Sequence, residues 1–132
     1  LGKGMSLTFS VRSSVNSEKQ ELLGKLKALA EMFEGEYVLH GDYPAWEYRK
    51  ESPLRDLSVE TYEKLFGVKP QVVAIHAGLE CGLLSEKLPG LDCVSIGPDM
   101  EHIHSPAERL NIASTGRTWK LICEVLARMK DL

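Results

Sequence analysis

At 132 residues the chain has room for one ordinary domain or two small lobes. Its 43% apolar and 27% charged residues are globular proportions and exclude a disordered or fibrous chain. A net charge of −3 argues against a general nucleic-acid binder, which carries a basic face. No apolar run approaches the roughly 18 residues that span a bilayer, so the sequence reads as soluble, with neither nucleic acid nor membrane as a partner.

The opening Leu1-Gly2-Lys3-Gly4 has no initiator Met, no charged leader and no apolar signal core, and reads as the inside of a longer chain. Three cysteines without a CxxC pair point to reduced thiols in a cytoplasmic protein. Cys93 and Cys123 fall in apolar surroundings and read as core residues. Cys81 lies beside a polar stretch.

Met5 to Ser13 alternates, with Met5, Leu7, Phe9 and Val11 on one face and Ser6, Thr8, Ser10 and Arg12 on the other. That period predicts a half-buried strand. Arg12 ends the polar row, either as a solvated charge or as a guanidinium fork for a substrate carboxylate. Ser17 with Gln20 makes a capping box. Leu22, Leu23, Leu26, Leu29, Ala30 and Phe33 then follow at helical spacing, with Gly35 as the stop. Tyr37–His40 predicts a second strand, so residues 5–41 read strand–helix–strand.

Residues 41–48 break all periodicity and read as an aromatic-packed connection between lobes. Ser52-Pro53 predicts an N-cap with proline in the first turn, opening a helix through Leu54, Leu57, Tyr62, Leu65 and Phe66 to Gly67. Val72–Ile75 and Cys93–Ile96 predict strands covered on both faces, with a short helix over 79–84 between them. Ser114 is a candidate cap for a last helix that buries Trp119, Ile122, Cys123, Leu126 and Met129. Residues 52–132 thus read helix–strand–helix–strand–helix, a piece of a layered α/β fold.

Two of these predicted strands stop at glycine and polar groups, in Ile75-His76-Ala77-Gly78-Leu79-Glu80-Cys81-Gly82 and in Ser95-Ile96-Gly97-Pro98, with His104-Ser105-Pro106-Ala107-Glu108-Arg109 following. Ligands collect at the carboxyl ends of strands in such sheets, so His76, Glu80, His104 and Glu108 read as one wall of a site. Each also has a plainer reading. His104, or its neighbour His102, is a metal ligand or a surface imidazole; His76 orients a substrate or is a satisfied buried ring. Glu80 favours a helix dipole, and Glu108 forms a surface pair near Arg109. A metal site needs three or four ligands, and the chain offers no such set.

At HAGLECG (His76–Gly82) and His104-Ser105-Pro106-Ala107-Glu108-Arg109-Leu110 the sequence resembles the aminoacyl-histidine dipeptidases, also called Xaa-His or cytosol non-specific dipeptidases, of the di-zinc metallopeptidases. The resemblance takes in Val11-Arg12-Ser13-Ser14, Gly41–Trp46 and the final Trp-containing helix, and so nearly the whole chain. It implies an α/β fold in which residues 1–42 are the second half of a lid and dimerisation domain. Residues 43–132 would be the carboxy-terminal segment of the catalytic domain.

By that resemblance His104, directly before Ser-Pro, is the last zinc ligand, and Arg12 is the lid arginine that clamps the substrate carboxylate. His76 and Glu80 line the cleft. Ala107 departs from the acidic residue common there. The other ligands and the general base are expected upstream, so no catalytic residue is assigned here. The intact homodimeric enzyme would hold two zinc ions per site and hydrolyse Xaa-His and other dipeptides with a metal-activated water. This chain alone would be inactive. The competing reading is an interaction or dimerisation module with no chemistry of its own; a small self-contained enzyme would need a complete site within these residues.

Overall fold

The computed structural model describes residues 4–75 and 80–131. The chain divides into two units, Leu1–Tyr48 with Ala74–Pro89, and Arg49–Val73 with Gly90–Leu132.

The first unit carries α1 (Asn16–Met32). Its N-cap is Val15 and not Ser17, and no side chain caps it; the capping box does not form. The Ser13 hydroxyl instead accepts the Val15 N–H at 3.0 Å and donates to Glu18 Oε2 at 3.2 Å. At the other end Gly35 N–H reaches Ala30 O and Glu34 N–H reaches Glu31 O, the paired bonds of a Schellman stop. Glu34, not Gly35, occupies the left-handed position there, with φ 52°. Of the expected apolar stripe only Leu23 is buried; Leu22, Leu29 and Phe33 face solvent.

Lys19 lies on the same helix and is 6% exposed. A buried ammonium demands a counter-charge, and it pairs with Asp42 at 2.6 Å and also donates to Tyr43 O. On the open face Lys25 pairs with Glu21 at 2.5 Å and holds that carboxyl below its usual range, first by the hydrogen bond and then by charge. Asn16 N–H donates to Glu47 at 2.9 Å, a second tie between α1 and the connecting stretch.

The short α3 (Glu80–Lys87) extends further than the sequence implies. Gly82 is buried in it, and a Cβ at that position would lie 3.0 Å from Pro44 O and 3.5 Å from Trp46 Cβ. Backbone therefore approaches backbone here, and a side chain at this position would push the Pro44 carbonyl by a few tenths of an ångström.

In the second unit α2 (Pro53–Phe66) forms as the sequence predicts. Ser52 Oγ accepts the Arg55 N–H at 3.1 Å, and Gly67 closes the helix at φ 73°. Asp92 completes the N-terminus from a distance: Ser52 Oγ donates to Oδ1 at 2.6 Å and Leu54 N–H to Oδ2 at 2.9 Å. A carboxylate on free N–H groups at a helix start satisfies both orphan donors and dipole.

The last helix, α4 (Ile112–Arg128), is capped by Asn111, whose side chain accepts the Ser114 N–H at 2.9 Å. Ser114 is the buried third residue of the helix and not its cap. Leu121 and Val125 of α4 pack on Leu57 of α2, with Leu54, Tyr62, Leu65 and Phe66 around them. Arg128 ties the far ends together, donating to the fully buried Thr61 at 2.8 Å and to Glu60 at 2.9 Å.

The expected buried face of this helix is its open one. Trp119 is 68% exposed, Leu126 61%, and Cys123 is exposed too. Both faces are apolar, so periodicity alone does not choose between them. Cys93 is half-buried.

The strand expectations fare differently from the helices. None of Met5–Ser13, Tyr37–His40, Val72–Ile75 or Cys93–Ile96 enters a ladder among the described residues. A strand is completed by neighbours and cover, and Met5, Leu7, Phe9, Val72 and Val73 all stand open to solvent. The sheet that does form is small and antiparallel, β1 (Met100–Glu101) with β2 (Arg109–Leu110), pairing Met100 with Leu110 and Glu101 with Arg109. Among the described residues the fold is therefore helix-rich with one short hairpin.

Replacing Asp92 by Ala should remove two bonds at the start of α2 and cost about 1–3 kcal/mol. Denaturant melts of Asp92→Ala and Asp92→Asn would check this, with Asn losing less than Ala because its amide oxygen still accepts.

Candidate functional site

The hairpin bearing His104 is built outward from α4. The Asp99 N–H donates to Ser114 Oγ at 2.8 Å, Asp99 O accepts the Asn111 N–H at 3.0 Å, and the Asp99 carboxylate meets Arg117 at 3.0 Å. Ser114, 3% exposed, donates in turn to Asn111 O at 2.7 Å. Asp99 thus joins the base of β1 to the N-terminal part of α4 through its N–H, its carbonyl and its carboxylate.

Beyond the strands, residues 102–108 form a tight polar loop. Ser105 donates to His102 O at 2.7 Å and accepts the Ala107 N–H at 3.2 Å, a serine turn placed just before Pro106. Glu108 accepts the backbone N–H of His104 at 2.8 Å. His102 and His104 both hold left-handed backbones, φ 53° and 65°. Such conformations cost about 1–2 kcal/mol for residues other than glycine, and they persist only where surrounding bonds dictate them. Here those bonds are the Ser105 turn and the Glu108 carboxylate.

The expected pairing of Glu108 with Arg109 is replaced by two others. Glu108 serves the His104 backbone, and Arg109 pairs with Glu101 at 3.2 Å directly across the ladder. Glu101 and Asp99 carry no signal in the sequence for these jobs beyond lying a few residues before the Ser-Pro turn.

The remaining candidates lie in the other unit. Arg12 is exposed, in the stretch before α1. Glu80 is exposed in the first turn of α3, where a carboxylate favours the helix dipole. His76 lies outside the described residues.

His104 is exposed. Its donor set does not close within this chain: among the described residues no three His, Cys, Asp or Glu side chains are grouped to hold a metal ion. A zinc site of three or four ligands does not fit the described residues by themselves. No helix among them is long and apolar enough to cross a membrane.

The chain is 40% identical over 116 residues to the cytosol non-specific dipeptidase of Escherichia coli (strain K12), spanning 88% of this chain and 24% of that protein. It resembles a dipeptidase over most of its own length. A crystal structure of aminoacylhistidine dipeptidase from Vibrio alginolyticus superposes with a TM-score of 0.70 at 34% identity, covering 87% of this chain and 24% of that one. The chain matches the carboxy-terminal part of such an enzyme and spans about a quarter of each relative's length. Both relatives are dipeptidases, hence hydrolases. No family model matches.

Ser114→Ala should leave the Asp99 N–H unpaired and loosen the His104 loop at a cost of about 1–3 kcal/mol. Faster hydrogen exchange at Asp99 and at the Glu108-bonded His104 amide, with α2 amides unchanged, is the expected reading.

Proposed function

We propose that this chain is the carboxy-terminal part of a metal-dependent, cytosolic dipeptidase that acts on Xaa-His and other dipeptides. The observation that carries the reading is 40% identity to a named dipeptidase along 88% of the chain, with a superposable solved relative beside it. The cytosolic placement rests on that relative's name. The α/β reading of the strand-like runs belongs to the intact protein, where they acquire neighbours.

In this reading residues 1–42 are the second half of a lid that also serves homodimerisation, and residues 43–132 belong to the catalytic domain. His104 contributes one imidazole to a site for two zinc ions whose other ligands lie outside this chain. The rigid serine turn and the Glu108–His104 bond support that assignment, because a ligand must be held before the metal arrives. Arg12 reads the substrate's free carboxylate, for which its planar fork offers two parallel hydrogen bonds. An anchor for a terminal carboxylate limits the substrate to short peptides. Glu80 and His76 line the same cleft, and the general base lies elsewhere in the intact enzyme.

Two experiments test this. The 132-residue chain supplied with zinc should not hydrolyse an Xaa-His dipeptide, whereas in the full-length protein His104→Ala should lower bound zinc and turnover together. Chelator-sensitive turnover by the chain alone, or full-length activity indifferent to His104→Ala, would remove the assignment. Separately, Arg12→Met in the full-length protein should raise KM for a dipeptide by about 10-fold or more. The same substitution should leave hydrolysis of the corresponding dipeptide amide unchanged; equal effects on both substrates would dismiss Arg12 as the carboxylate reader.

A further inference from the structure

Helix α4 has three faces. One packs on α2 through Leu121 and Val125. A second carries Arg117 and Lys120, both exposed, with the half-buried Glu124 and with Arg128, which turns to Thr61 and Glu60. The third runs along Ile112, Trp119, Cys123 and Leu126, with Thr115 and Gly116 between, and holds no charge. Ile112, Trp119 and Leu126 recur every two turns, so they lie above one another, about 140° around the axis from the packed face. Ile112 is 85% exposed, Trp119 68% and Leu126 61%. A helix that already has a charged face for solvent does not need an uncharged aromatic one for it.

The extent of open surface says what kind of cover is missing. The chain exposes 10644 Å². Even two separate compact bodies of half its mass would together expose only about 8,400 Å². The difference, on the order of 2,000 Å², exceeds the roughly 800 Å² that a standard interface takes from one partner. It is also distributed, because Met5, Leu7 and Phe9 of the other unit are open as well. A peptide is too small to take this much surface. The relatives supply an occupant of the right size: three quarters of their length lies outside the part this chain matches.

We infer that the Ile112–Trp119–Cys123–Leu126 face of α4 is an interior surface of the intact enzyme, covered by the remaining portion of the same polypeptide. The inference rests on the reading of the chain as part of a dipeptidase. It adds the surface through which the missing part is joined to the helix that supports the His104 hairpin.

Cys123, in the middle of that face, supplies the probe. Alkylation by iodoacetamide, mapped by mass spectrometry, is compared between this 132-residue chain and the full-length protein under native conditions. Cys123 should react at least about 100-fold more slowly in the full-length protein, with a protection factor independent of protein concentration, because modification then waits on local opening. Equal rates in the two proteins would overturn the inference. Protection that weakens on dilution would assign the face to a second copy, and would overturn it too. Hydrolysis is scored separately: protection without dipeptidase activity would sink the functional reading and leave this surface standing, and activity with Cys123 unprotected would do the reverse.

Discussion

The packing of α4 on α2 is the constraint from which the second unit follows. Leu57, Leu121 and Val125 exclude water from the contact, and Arg128 spans it to a threonine with no exposed surface. With α4 so fixed, Asn111 and Ser114 present a cap and a buried hydroxyl at its start, and Asp99 takes hold of both. The hairpin and the backbone of His104 are then determined by what Asp99, Ser105 and Glu108 can bond. A loop far from the core owes its shape to three apolar side chains through one short chain of hydrogen bonds.

The same packing leaves much of the chain unsatisfied. Leu23, Leu57, Leu121 and Val125 are the buried hydrophobics among the described residues, a small core for this length. Strand-like runs with strong apolar patterns find no ladder, and the uncharged face of α4 finds no cover. These facts agree with a match to about a quarter of each dipeptidase relative. In the proposed reading, the one imidazole belongs to the same picture, since the chemistry and the core would both be completed by other residues of the intact enzyme.

Local signals proved legible where the physics is local. Ser52-Pro53 and Gly67 bracket α2 in the sequence and in the structure, because a cap, a fixed proline φ and a left-handed glycine each act within one turn. The His-Ser-Pro stretch is legible as a loop for a similar reason. Misreadings occur where a nearby alternative competes: Ser13 serves the start of α1 in place of Ser17, Glu34 takes the left-handed position before Gly35, and Asn111 caps the helix assigned to Ser114. In each case the right kind of residue stands within a few positions, and packing chooses between neighbours.

By itself the sequence determined where the helices lie, which loop carries His104, and the likeness to a dipeptidase, since these depend on residue order and short-range chemistry. Tertiary structure alone decided which apolar face of α4 is buried, that Asp92 closes the start of α2, and that Glu108 holds the His104 backbone while Arg109 turns to Glu101. The physical reason is common to all of them. A side chain with two suitable partners, or a helix with two apolar faces, has its choice made by whichever surface the rest of the chain brings near, and spacing along the sequence carries no record of that.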